Sequence, residues 1–111
     1  MNKIISTLAA VLLGTFVINT ASAGGDAAAG ESKAVTCVGC HGPNGVSSVS
    51  IYPVLAGQYE NYLYRALIDY KSGERKNPIM AGMVAGLTEE DMKNLAAYYA
   101  AQGGPLTFVH H

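Results

Sequence analysis

The sequence predicts an all-α domain, and three observations carry that prediction. Apolar residues recur at helical spacing in the segments around residues 60–70 and 89–102. Residues that start and stop helices bracket these segments and two others. No stretch alternates apolar and polar residues as a half-buried strand does.

The first helix is expected from about Ala27 to Thr36, with Asp26 as N-cap and an alanine-rich body. Gly30 and Ala34 lie four residues apart and give it a small-residue face, against which another helix can pack closely. The second runs from about Glu60 to Tyr70. Tyr59, Tyr62, Leu63, Ala66, Leu67 and Tyr70 form one stripe at the helical period, read as core, and Gly73 stops it. A short turn follows from Ile79 to Ala85, between Pro78 and Gly86. The last helix runs from Glu89 to about Gln102. Thr88 and Asp91 have capping-box spacing, and Leu87 and Met92 stand at the hydrophobic-staple positions. Met92, Leu95, Ala96 and Tyr99 form its apolar face, and Gly103-Gly104-Pro105 ends it.

Residues 1–23 read as a cleaved secretory signal peptide. Lys3 supplies the positive start, residues 4–18 an uncharged apolar run, and Ala21-Ser22-Ala23 a small-residue cleavage site. A spanning helix needs about 20 apolar residues. This run has 15, interrupted by Ser6, Gly14 and Thr15, so cleavage is favoured over a retained anchor.

The remaining residues, 24–111, are read as one domain of 88 residues. A chain of that size builds a limited core and often relies on a disulfide, metal or cofactor. It has no tryptophan, and its single phenylalanine is Phe108. Lys3 is the leader's only charged residue, so the seven basic and eight acidic residues of the whole chain leave the domain at net −2. Nothing here is basic enough for nucleic acid, and no charge run points to an anionic membrane surface.

The chemistry resides in Cys37-Val38-Gly39-Cys40-His41, which contains both cysteines of the chain. A thioredoxin-like redox pair would belong in a βαβ setting, which the helical pattern lacks. Structural zinc needs four ligands. Cys37, Cys40 and His41 offer three, and the remaining histidines are the terminal pair His110 and His111, to which no role is assigned. The favoured reading is covalent attachment of haem c, with two thiols spaced to meet the two vinyl groups and the adjacent histidine on the iron. Export agrees with it, because bacteria attach this haem outside the cytoplasm.

Beyond that motif, the chain resembles the class I bacterial cytochromes c from Gly25-Asp26 to Gln102. It is most similar to the monohaem c553 group and to single domains of the dihaem cytochrome c4 family. The segments that carry the resemblance are Cys37 to Gly45, Tyr52-Pro53-Val54-Leu55-Ala56-Gly57-Gln58, Gly73-Glu74-Arg75-Lys76-Asn77, Met80, and Leu87-Thr88. The resemblance implies the cytochrome c fold, three main helices and a short helical turn wrapped around one haem. It also implies a methionine opposite His41 on the iron. Met80 is favoured, because the family's ligand lies seven residues before the leucine that leads the last helix, and Pro78 stiffens its loop. Met83 is the alternative. Pro53 would offer its carbonyl to the histidine ring, and Arg75 and Asn77 would stand near the haem propionates.

His/Met ligation raises the haem potential and fills both axial positions. The resemblance therefore implies a periplasmic one-electron carrier rather than an enzyme, working between redox protein partners and not inserted in the membrane once the leader is removed. A second expectation is a haem subunit of a larger dehydrogenase, such as a flavocytochrome c sulfide dehydrogenase. A third, with the iron open to a gas or substrate, requires that neither Met80 nor Met83 be a ligand.

Overall fold

The computed structural model describes residues 24–106, so the leader, Phe108 and the terminal histidines lie outside the described residues. Five helices occur in it: α1 (Ala27–Lys33), α2 (Val38–His41), α3 (Glu60–Ser72), α4 (Pro78–Val84) and α5 (Glu89–Ala100). Short 3-10 turns cover Ala34–Thr36 and Pro43–Gly45, and no strand occurs among the described residues.

The caps explain where the helices begin and end. The Asp26 carboxylate accepts from the amides of Ala28 and Ala29. Thr88 and Asp91 form a reciprocal capping box, with the Asp91 amide on the Thr88 hydroxyl at 3.1 Å and the Thr88 amide on the Asp91 carboxylate at 3.0 Å. Three acidic residues, Glu89, Glu90 and Asp91, occupy the first turn of α5, where the helix dipole favours negative charge. Gly73 closes α3 in the left-handed region at φ 86°.

Packing centres on α5, which crosses α1 in the most extensive contact of the fold and also lies against α3. The crossing has no room for a side chain at Gly30: a Cβ there would lie 2.0 Å from the Asn94 carbonyl oxygen and 2.8 Å from Tyr98 Cβ. Ala34 joins Leu63, Leu95, Ala96 and Tyr99 in the core cluster. Polar contacts fix the same junction. The Asn94 side chain accepts from the Asp26 amide at 2.7 Å, and Lys33 pairs with Asp91 at 3.2 Å. On the other side, the Tyr64 hydroxyl donates to Glu89 at 3.1 Å, and Lys71 donates to the Leu87 carbonyl.

Two expectations change. The first helix does not run unbroken to Thr36: it tightens after Lys33 into a 3-10 turn and leads into the short α2, which the sequence reading had not made a helix. The α3 stripe is core only in part. Leu63 alone is buried, Ala66, Leu67 and Tyr70 are half-buried, and Tyr59 and Tyr62 are 44% and 51% exposed. Tyrosine tolerates this because its ring can lie on apolar surface while its hydroxyl stays in water.

The crossing predicts a sharp positional effect. Gly30→Ala should lower unfolding free energy by about 1–3 kcal/mol or more, since the new methyl meets backbone that cannot swing aside. Gly103→Ala, with open space at its Cβ, should stay within about 0.5 kcal/mol in the same urea titration.

The capping box predicts a pH effect. The Thr88 amide, and then Lys33, hold the Asp91 carboxyl below its ordinary value. Its contribution is therefore present above the unfolded pKa of about 4 and is lost as pH falls through the lower, folded value. Asp91→Asn should flatten the acid limb of a stability-versus-pH curve below about pH 4, while leaving the region near neutrality parallel to the parent.

Candidate functional site

The Cys37–His41 segment is built by the way α1 ends. The 3-10 turn Ala34–Thr36 brings the chain to Cys37, whose carbonyl accepts from the amides of Cys40 at 3.3 Å and His41 at 2.9 Å. Cys37 and Cys40 thus stand one helical turn apart, and residues three apart share a face. Both thiols are free and half-buried. Gly42 ends the turn at φ 77°, where a Cβ would lie 2.1 Å from the Val46 carbonyl oxygen, so only glycine fits.

His41 is buried, at 7% exposure. Its Nδ1 lies 2.8 Å from the Pro53 carbonyl oxygen. A carbonyl only accepts, so Nδ1 donates to it, and Nε2 is the nitrogen left to face a metal. Pro53 is held there by backbone. Leu55 and Ala56 donate to the Gly45 carbonyl at 2.8 and 3.2 Å, and Gly57 donates to the Tyr99 carbonyl on α5 at 2.9 Å.

A second group of residues lies on α4 and the loop before it. Asn77 is the N-cap of α4, its side-chain oxygen accepting from the amides of Ile79 and Met80, each at 3.0 Å. Pro78 occupies the first helical position. Met80 is half-buried and lies four residues before Val84, which is 1% exposed, so the two share the inward face. Met83 is 43% exposed and pairs by the same spacing with Ile79, at 63%. Arg75 donates to the Tyr62 hydroxyl at 3.4 Å and sits 4.8 Å from the centre of the Tyr70 ring.

The structure therefore brings Cys37, Cys40, His41 and Pro53 into one group, while Arg75, Asn77, Met80 and Met83 belong to another that packs on α3. Cys37 from the first group rests on the same core cluster as Leu67 of α3 and Leu87, which follows α4. Sequence reasoning missed the role of Tyr99. Its hydroxyl is buried with no hydrogen-bond partner among the described residues. Burial first, and then the adjacent Cys37 sulfur, push its pKa well above the usual phenol value. Tyr99 reads in the sequence as one more apolar position, and nothing in the helical period shows where its hydroxyl goes.

Among the described residues no set of three or more His, Cys, Asp or Glu side chains is grouped to hold a metal ion on its own. The donor set fits haem c instead. It offers two free thiols one turn apart, a buried imidazole with Nε2 available, and a half-buried methionine on α4, a helix that packs on α3. The surface hollow of about 440 Å³ lined by Gly24, Glu60, Asn61, Tyr64 and Lys93 shares none of these residues.

Comparison with known proteins agrees with this chemistry. Residues 27–101 match the family described as cytochrome c. The chain is 42% identical over 102 residues to cytochrome c4 of Pseudomonas aeruginosa, a match covering 92% of this chain and 49% of that protein. It is 47% identical over 81 residues to cytochrome c-554(548) of Halomonas halodenitrificans, covering 70% of this chain and 98% of that protein. The crystal structure of reduced recombinant cytochrome c4 from Pseudomonas stutzeri superposes with a TM-score of 0.70 at 38% identity, over 78% of this chain and 50% of that one. The chain thus spans about half the length of the cytochrome c4 proteins it matches.

Proposed function

The chain belongs to the cytochrome c family, and from that premise we propose that it carries single electrons between redox proteins of the periplasm. In this reading haem c is bound through Cys37 and Cys40, and its iron is held by His41 and Met80. The observation that carries the reading is the buried His41 ring, its Nδ1 already engaged by the Pro53 carbonyl, one residue beyond a pair of free thiols on a single turn. Bound there, the haem supplies a one-electron couple at its iron.

The protein's own groups set the conditions for that couple. The Pro53 carbonyl fixes the imidazole orientation and raises its basicity. The Met80 thioether is a soft ligand that raises the potential. With His41 and Met80 both holding the iron, no ligand position would be left for a substrate, which matches a carrier. Arg75 keeps further N–H donors beside α4, where they can meet the haem carboxylates. No helix among the described residues is long and apolar enough to cross a membrane.

A free shuttle and a permanent subunit of a larger dehydrogenase would share this iron chemistry. Native gel filtration separates the two: a profile at the monomer position supports the shuttle, and co-elution with a flavoprotein supports the subunit.

Two outcomes test the rest. Met80→Ala should abolish the ferric near-infrared band of methionine-ligated haem, lower the potential and let the reduced protein bind CO. Met83→Ala should keep the band and cost about 1 kcal/mol or less, as its side chain is largely exposed. Loss of the band in the Met83 variant alone would exchange the two assignments.

Processing is tested by mass. The expected leader, residues 1–23, lies outside the described residues; the protein recovered from the periplasm should begin at Gly24 or Gly25, and a species retaining residues 4–18 would contradict cleavage.

A further inference from the structure

We infer that Asn77 is a positioning residue for the axial methionine, acting through the cap of α4 rather than through contact with the cofactor. The inference rests on the assignment of Met80 as ligand. Asn77 adopts extended backbone, at φ −155° and ψ 112°, and its side-chain oxygen accepts from the Ile79 and Met80 amides. The Met80 amide is thus bonded to the Asn77 side chain itself. The Asn77 carbonyl accepts from Ala81 at 2.8 Å, so the residue grips α4 on both sides of Met80.

The length of α4 makes this grip matter. Seven residues form two turns, too short to persist on their own. The interior of α4 contains Gly82, a weak helix former. Apart from Val84, none of its residues is buried. Its first turn has two restraints, Pro78 with its fixed φ and the Asn77 side chain. A turn so lightly packed holds a thioether in place only as firmly as its cap holds the turn.

The methionine-off population should therefore rise when the cap is removed. An external ligand such as imidazole binds ferric iron only from that population, so its apparent affinity scales with the open fraction. Losing a cap should raise that affinity roughly fivefold. Asparagine, aspartate and serine are comparable caps, whereas alanine is not. A role as propionate donor makes a different demand, since neither aspartate nor serine reproduces the amide NH2.

The experiment is imidazole titration of ferric holoprotein for Asn77→Ala, Asn77→Ser and Asn77→Asp. Thr88→Ala serves as a control, because it removes the same kind of cap from α5. The expected result is a rise of about fivefold in affinity for Asn77→Ala and less than about twofold for the other three. Three results would overturn the inference: Asn77→Ala at the parent affinity, Asn77→Ser and Asn77→Asp raised in affinity as much as Asn77→Ala, or Thr88→Ala matching Asn77→Ala. Met80→Ala is titrated alongside. If it still shows the methionine band, the ligand assignment fails and the inference fails with it; if it loses the band while Asn77→Ala stays at the parent affinity, the inference alone fails.

Discussion

The rest of the structure depends on how closely α1 and α5 cross. Gly30 lets the backbone of α1 reach the Asn94 carbonyl on α5, and no other residue type fits the gap. That approach fixes where α1 ends and where Cys37 emerges, through the turn at Ala34–Thr36. α5 also reaches the far side of the histidine. The Tyr99 carbonyl holds Gly57, Gly45 holds Leu55 and Ala56, and Pro53 in that loop meets His41 Nδ1. One helix therefore positions both the peptide that carries His41 and the carbonyl that orients its ring.

The α4 side is built on a different principle. It has few buried residues, and its order comes from caps, from Lys71 reaching the Leu87 carbonyl, and from Arg75 set between Tyr62 and Tyr70. A packed core and a capped loop respond differently to change. Core positions lose stability when volume changes, while capped turns shift in local population before the whole domain unfolds. The two proposed ligands of one iron thus come from regions of unequal rigidity, His41 from the rigid one and Met80 from the adjustable one.

Much of this was legible in the sequence, and the parts that were not share a cause. Asp26, Thr88, Asp91 and Gly73 were readable because caps and stops are local chemistry, set by residues three or four apart. Gly30 and Ala34 were readable because a small-residue face at helical spacing has few other uses. The motif from Cys37 to His41 was readable because attachment chemistry fixes its spacing. Asn94 meeting Asp26 and Tyr98 meeting Asn44 at 3.2 Å were not, since each joins residues far apart in the chain, and the orphaned Tyr99 hydroxyl was not, since tertiary packing alone decides what surrounds it. The cap made by Asn77 was hidden for another reason: in the sequence it was set beside the haem carboxylates by family position, and its local role as an N-cap before Pro78 was passed over.

The uneven burial of α3 and α5 bears on why this chain carries a cofactor. α5 buries Met92, Leu95, Ala96, Ala97 and Tyr99 together with Asn94, whereas α3 buries Leu63 alone. Yet α3 has an apolar stripe as regular as that of α5, from Tyr59 to Tyr70. A stripe covered on one flank by α5 and lightly by α4 is completed by a large flat apolar group, and haem c is one. Its covalent tether at Cys37 and Cys40 would hold that group next to the core that Cys37 already touches. A small helical fold in a chain without tryptophan would thereby gain apolar area that its own side chains do not supply. Binding that exists only in the native state would then add to the stability of the fold, so in this family member the haem and the core would be parts of one physical design.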